Sequence, residues 1–273
     1  RNDIRIFHKE CKFLQREGHH VFLIVADGKG NAPDNGVEII DAGGSIKGRF
    51  NRMLNTTRRV YNKAVELNAD IYHFHDPELL PWGWLLKKKV KRVIYDIHED
   101  VPRQILSKHW IPKFLRRPVS YITEVIENFF AKRLDGLVCV VPVQVERFKK
   151  INPNTVMVCN YPILEELHIS NSNWPSKERA VCCVGGISGI RGLFEMVEAA
   201  EYLDGVLYMA GPISNLQEWE QAKTMPGWKK VRYLGILDRT NIKETFGKVM
   251  AGLVLFLPKP NHVNAQPNKM FEY

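Results

Sequence analysis

Twice along the chain, short apolar runs alternate with stretches whose apolar residues recur at helical spacing, and a polar segment separates the two series. That alternation is the pattern of parallel sheets covered by helices on both faces, so the expected class is α/β with two Rossmann-like domains. The first series opens on a helix, with Ile4, Phe7, Cys11 and Leu14 at helical spacing and Gly18 as its stop. Strands are expected over residues 20–25, 37–40, 71–74, 92–95, 137–141 and 156–159. The segment 165–178, holding Ser170, Asn171, Ser172, Asn173, Pro175 and Ser176, reads as a linker between a domain over 1–164 and a second over 179–273. In the second series strands are expected over 180–184, 206–209, 231–234 and 253–257, with a helix from Asp238 that turns Ile242, Phe246 and Val249 inward. A doubly wound domain normally begins with a strand, and the second series stops early, so the chain is expected to be cut short at both ends.

Composition narrows the class further. The hydrophobic fraction of 45% and charged fraction of 25% are those of a globular protein. No run reaches the roughly 18 to 20 apolar residues of a membrane span, and the charged start at Arg1 is unlike a signal peptide, so the expectation is a soluble cytoplasmic protein. Five cysteines, an odd number without C-x-x-C spacing, read as free thiols and support neither zinc nor a disulfide framework. The net charge of +9 suits an anionic partner: a nucleoside diphosphate, an anionic lipid surface or nucleic acid. Basic residues crowd the first half at Lys47, Arg49, Arg52, Arg58 and Arg59, and again at Lys87, Lys88, Lys89, Lys91 and Arg92. A third stretch, Lys108, His109, Trp110, Lys113, Phe114, Arg116 and Arg117, interleaves bases with large apolar side chains. That mixture fits either adsorption to an anionic membrane or solvated helix faces.

Ligands of open α/β sheets bind beyond the carboxyl ends of the strands, which directs attention to the residues just after each run. His73 and His75 alternate with Tyr72 and Phe74 and share one strand face, and Asp76, Pro77 and Glu78 follow. His75, at the edge, is placed for acid/base or hydrogen-bonding work; a satisfied, partly buried histidine pair is the alternative. Asp96, His98, Glu99 and Asp100 form a second polar edge, suited to orienting a sugar hydroxyl or simply solvated. Gly185, Gly186, Gly189, Arg191 and Gly192 link a strand to a helix, where backbone amides can approach an anion and Arg191 can pair with phosphate. This spacing matches neither the dinucleotide nor the Walker fingerprint, and a tight turn with an exposed arginine is the equal alternative. Near the end, Asn264, Asn268 and Lys269 lead to Glu272, whose carboxylate can accept from two ribose hydroxyls or complement a helix dipole.

Together these segments resemble the retaining glycosyltransferase family 4, bacterial members especially, over nearly the whole chain. The run Asn2 to Glu10 resembles that group's first helix, His75-Asp76-Pro77 its histidine motif, and Tyr95 to Glu99 a further part of the pattern. Gly185 to Gly192 resembles its donor phosphate loop, and Pro267 to Tyr273 is the most specific match. The chain departs from the family at Asn264, where the first of two glutamates usually stands, and at Gly186, where many relatives carry arginine.

The resemblance implies GT-B architecture, two Rossmann-like domains facing a cleft, with the second domain incomplete. It implies transfer of a sugar from a nucleoside diphosphate to a hydroxyl acceptor, with retention, no metal, and no cofactor beyond the nucleotide-sugar co-substrate. His75 and Asp76 would be catalytic. Gly185, Gly186, Arg191, Asn264, Asn268, Lys269 and Glu272 would bind the donor, and Arg5, His98 and Glu99 the acceptor. A saccharide or lipid-linked saccharide of a surface polysaccharide pathway is the expected acceptor, with the enzyme peripheral on the inner face of the cell membrane. The rivals are a nucleotide-sugar epimerase of the same fold and a basic nucleic-acid-binding protein.

Overall fold

A computed structural model describes residues 1, 3–44, 48, 51–89, 91–108, 110–169, 174–260 and 262–273. Asn2, Lys47, Arg49, His109, Ser170, Asn171, Ser172, Asn173 and the side chain of Arg52 lie outside the described residues. The chain divides into two compact units, Arg1–Asn160 and Tyr161–Tyr273.

In the first unit Asp3 caps the opening helix by accepting from the Ile6 amide at 2.8 Å. That helix, Ile4–Cys11, is wound wider than an α-helix: the His8 amide reaches back five residues to the Asp3 carbonyl. The altered winding changes which residues face inward. Arg5, Phe7 and Cys11 are buried, while Ile4 and Leu14, expected on the same stripe, are exposed.

Strands β1 (Val21–Val25), β2 (Ala32–Asp34) and β3 (Val37–Asp41) form one sheet in the order β1-β3-β2. β2 and β3 are antiparallel and joined by Asn35 and Gly36, both with positive φ, which is the chemistry of a two-residue hairpin turn. Strands β4 (Ile71–Phe74), β5 (Arg92–Ile97), β6 (Gly136–Cys139) and β7 (Thr155–Met157) form a second sheet, parallel throughout and in sequential order. The six expected strands of this half therefore fall into two sheets. β5 is buried on both faces, as a central parallel strand is: Val93, Tyr95 and Ile97 face one way, and Asp96, fully buried, the other. Tyr95 stacks on Phe74 at 5.0 Å in the core, which holds β4 and β5 in register.

The second unit carries β8 (Glu178–Val184), β9 (Val206–Ala210), β10 (Val231–Tyr233) and β11 (Val249–Gly252), all parallel, in the order β10-β9-β8-β11. This is the strand order with which a Rossmann half begins. Its core packs Leu193, Met196 and Val197 against Cys183, Leu207 and Met209.

Two boundaries differ from the sequence expectation. The stretch read as a linker starts with a helical turn, Leu164–Leu167, which packs on the Arg239–Lys248 helix and buries Leu167. The strand expected over 253–257 instead pairs four residues earlier, as β11. Its ladder ends because the Val184 amide, which alternation aims at the β11 side, donates to the Tyr273 hydroxyl at 2.9 Å. Among the described residues no helix is long and apolar enough to cross a membrane.

Candidate functional site

Among the described residues, each unit brings a charged grouping to the carboxyl ends of its strands. In the first unit, strand alternation puts His73 and His75 on one face of β4. The pairing of Phe74 with Tyr95, carried one residue further, sets Asp96 beside His75. The widely wound helix supplies Arg5 and Glu10, five residues apart and on one face, with Arg5 Nε 3.0 Å from Glu10 Oε1. Arg5 Nη2 donates to Asp96 Oδ2 at 2.6 Å. His75 stands between the two carboxylates, Nε2 3.2 Å from Glu10 Oε2 and Nδ1 3.7 Å from Asp96 Oδ2. His73 Nε2 lies 3.6 Å from the same Asp96 oxygen, and the His98 ring is 6.0 Å from that of His75.

Burial acts on these groups in opposite directions. It pushes the Glu10 carboxyl up to about 8, with the Asp96 charge adding to the rise. It also holds His75 down to about 3, helped by neighbouring His73. Burial would raise Asp96 too, but the bond from His73 and the charge of Arg5 outweigh it and hold Asp96 at about 2. The Arg5 guanidinium and the Asp96 carboxylate answer each other, so the grouping is compensated from within. Glu10, His73, His75 and Asp96 each bring a donor atom within 4.8 Å of the others, and the Arg5 guanidinium already engages both carboxylates. Asp96 Oδ1 and His98 Nδ1 are buried and without hydrogen-bond partners among the described residues, leaving acceptor and donor capacity for a ligand hydroxyl.

In the second unit, β8 ends in a turn whose first residue, Gly185, has the positive φ that favours glycine. Gly185 has φ +124°, and a Cβ on Gly186 would lie 2.3 Å from Arg191 Nη1. The Arg191 guanidinium folds over this turn and donates to the Gly186 carbonyl at 3.3 Å. From the other side comes Lys269, on the terminal helix Asn268–Glu272. Its Nζ would stand 3.5 Å from a Cβ on Gly185 and 3.5 Å from Cys183 Sγ. Neither cation has a carboxylate partner among the described residues. Glu272, on the same short helix, is held by Arg239 through Oε1 at 2.8 Å, and Arg239 also pairs with Glu166 at 3.1 Å.

The structure thus brings Arg5, His75 and His98 together, and separately Gly185, Gly186, Arg191 and Lys269, with Glu272 on the helix that carries Lys269. Asp76 is exposed and begins the short turn Pro77–Leu79. Glu99 is exposed and accepts from Gln104 at 2.9 Å, Asn264 is exposed in a turn, and Asn268 is half-buried. Sequence reasoning did not single out Glu10, and it placed Asp96 on a polar edge without pairing it with His75. Asp96 had a signal in its place beside the His75 register, whereas a five-residue spacing from Arg5 points off the face of an ordinary α-helix.

Comparison with known proteins bears on the family and the fold. The profile of Glycosyltransferase Family 4 matches residues 5–160. No curated protein matches the chain. Among solved structures, HepE of Anabaena in complex with UDP and glucose is similar, at 12% identity and TM-score 0.63, over 88% of this chain and 75% of that one. WaaG, a glycosyltransferase involved in lipopolysaccharide biosynthesis, is similar at 15% identity and TM-score 0.63, over 92% and 70%. OtsA without ligand gives 13% identity and TM-score 0.63, over 91% and 75%. At such identities the likeness is one of fold, that of the GT-B glycosyltransferases.

Proposed function

The chain belongs to Glycosyltransferase Family 4, and from that premise we propose that it transfers a sugar from a nucleoside diphosphate to a hydroxyl acceptor, with retention and without a metal. The observation that carries this reading is the glycine turn of the second unit, flanked by two cations that no carboxylate answers among the described residues. An incoming diphosphate would supply the missing charge, and on departure it would be stabilised by Arg191, Lys269 and the backbone amides of the turn. Arg191 Nη1 lies over the open face of Gly186, where the family often carries arginine. Glu272 keeps its second oxygen for the ribose because Arg239 holds the first, and Asn264 and Asn268 would complete the donor set. UDP and glucose in HepE support a nucleotide-sugar donor.

His75 and Asp76 are assigned to the reacting centre, and Arg5, His98 and Glu99 to the acceptor. A lipid-linked saccharide acceptor, with the protein peripheral on an anionic membrane, draws support from one helix. Lys113–Ala131 turns Phe114, Tyr121, Ile122, Val125, Ile126 and Phe129 outward, 45% to 78% exposed. Its two acidic residues, Glu124 and Glu127, are paired with Arg103 and Arg147, and exposed Lys113, Arg117 and Lys132 stand at its ends. The outward face is therefore apolar with positive ends, the combination an anionic interface attracts.

Incubation with nucleotide sugars, with and without saccharide acceptors, tests the reaction. Acceptor-dependent release of nucleoside diphosphate is expected, with the anomeric configuration kept. A new sugar nucleotide formed from donor alone would make the protein an epimerase instead.

A further inference from the structure

We propose that Arg239, braced by Glu166, is the positioning residue for Glu272, and that this pair sets how strongly the donor site prefers a ribonucleotide. The proposal rests on the reading of Glu272 as the ribose contact.

Charge placement gives the first sign. Arg239 is the first residue of the helix Arg239–Lys248, whose N-cap Asp238 already accepts from the Asn241 amide at 2.8 Å. A cation in the first turn faces the positive end of the helix, so the helix itself gains nothing from an arginine there. The guanidinium instead serves two carboxylates from other elements. Nη1 donates to Glu272 Oε1 at 2.8 Å, and Nε donates to Glu166 Oε2 at 3.1 Å. A planar group held at two of its nitrogens cannot turn, a restraint that the single nitrogen of a lysine does not provide.

Glu166 is itself on packed ground. The turn Leu164–Leu167 lies on the Arg239–Lys248 helix and buries Leu167. Just beyond it, Ile169 comes so near the same helix that a Cβ on Gly247 would stand 3.3 Å from Ile169 Cδ1. The stretch that precedes β8 therefore supplies a fixed acceptor, and Arg239 passes its restraint on to Glu272.

With Oε1 held, the Glu272 carboxylate is ordered and Oε2 is left for the ligand. An ordered carboxylate accepts from ribose hydroxyls without giving up side-chain freedom on binding. Arg239 also answers the charge that would otherwise repel the diphosphate of the same ligand. Arg239 Nη2 is buried and has no hydrogen-bond partner among the described residues, so direct contact between arginine and ligand is the rival to exclude.

Titration calorimetry of the whole chain with UDP, GDP and ADP, each beside its 2′,3′-dideoxy counterpart, separates these roles. For the base that binds best, the wild type is expected to prefer the ribonucleotide by ~10-fold or more, the worth of a hydrogen bond to a charged group. Arg239→Ala should bring that preference to within about 3-fold, and Glu166→Ala should lower it by about 3-fold, through the ribonucleotide Kd alone. The dideoxy Kd should stay at its wild-type value, which also reports that each variant is folded. On a Glu272→Ala background, Arg239→Ala should remove no further preference. Wild-type preference in Arg239→Ala or in Glu166→Ala would overturn the proposal, as would equal weakening of both nucleotides, the mark of a merely structural role. A further loss on the Glu272→Ala background would overturn it in favour of direct contact. A wild type that binds no nucleoside diphosphate, or binds both forms equally, would defeat the ribose reading of Glu272 and the proposal with it, an outcome distinct from the others because it appears before any substitution.

Discussion

The two charged groupings differ in how their charge is answered. In the first unit Arg5 is matched by Asp96 and braced by Glu10, so the grouping can be buried and ordered with nothing bound. In the second unit Arg191 folds over a carbonyl, and Lys269 lies buried beside a thiol, leaving positive charge in excess. A compensated grouping fixes proton positions, and an uncompensated one waits for an anion. Among the described residues each unit holds one of these, and the proposed reaction would use the first to set proton positions and the second to meet a diphosphate.

Breaking the compensated side has the largest expected effect. Asp96→Ala takes from buried Arg5 its closer carboxylate and leaves it only Glu10, a loss expected to cost up to about 3 to 5 kcal/mol of stability. Urea unfolding of this variant should show a clearly lower midpoint, while any nucleoside diphosphate affinity that survives in folded protein should be unchanged. On the uncompensated side, Arg191→Ala and Lys269→Ala should each remove a charge-assisted contact worth about 1.5 to 3 kcal/mol. Titration calorimetry with nucleoside diphosphates should show that weakening with little change in the unfolding midpoint. If Arg191→Ala proved as destabilising as Asp96→Ala, the contrast between the two groupings would disappear.

Proton linkage sharpens the comparison at smaller scale. Glu10 is raised from its ordinary 4.5 to about 8 in the folded protein, so its contribution is full below 4.5 and is lost as pH rises through 8. His75 and Asp96 are lowered, to about 3 and about 2, so their contributions are present at neutral pH and are lost in acid. Above pH ~6.5, the ordinary histidine value, Glu10 dominates this set, and stability should fall toward pH 8 by up to about 1.4 kcal/mol per pH unit. Glu10→Gln should flatten that limb in pH-dependent urea midpoints. The smallest effect concerns the exposed bases at the ends of Lys113–Ala131, each worth about 1 kcal/mol near an anionic surface. Co-sedimentation with anionic vesicles should weaken in Lys113→Ala and Arg117→Ala and with added salt, and indifference to lipid charge would remove the membrane from the proposal.

Much of the fold was legible because parallel strands buried on both faces are written as apolar runs, as at β5 and β8. The β2–β3 hairpin was not read, although Asn35-Gly36 is a residue pair that a two-residue turn favours and an edge strand tolerates Pro33. The end of β11 could not be read, since a tyrosine hydroxyl 89 residues from Val184 closes the ladder there. In the site, the glycine turn and the histidine strand announced themselves through local spacing. Glu10 did not, because its neighbours in space come from β4 and β5 and its partner on the helix sits at a spacing that ordinary helices place apart.

That spacing also sets how the segment would respond to a change in length. The Ile4–Cys11 turn carries slack, one residue beyond what a regular helix needs to return to the same side. A deletion between Arg5 and Glu10 would let the backbone relax to ordinary winding with the pair four positions apart, still facing Asp96 and His75. A second deletion would swing them away, so the segment should accept the first shortening and fail at the next.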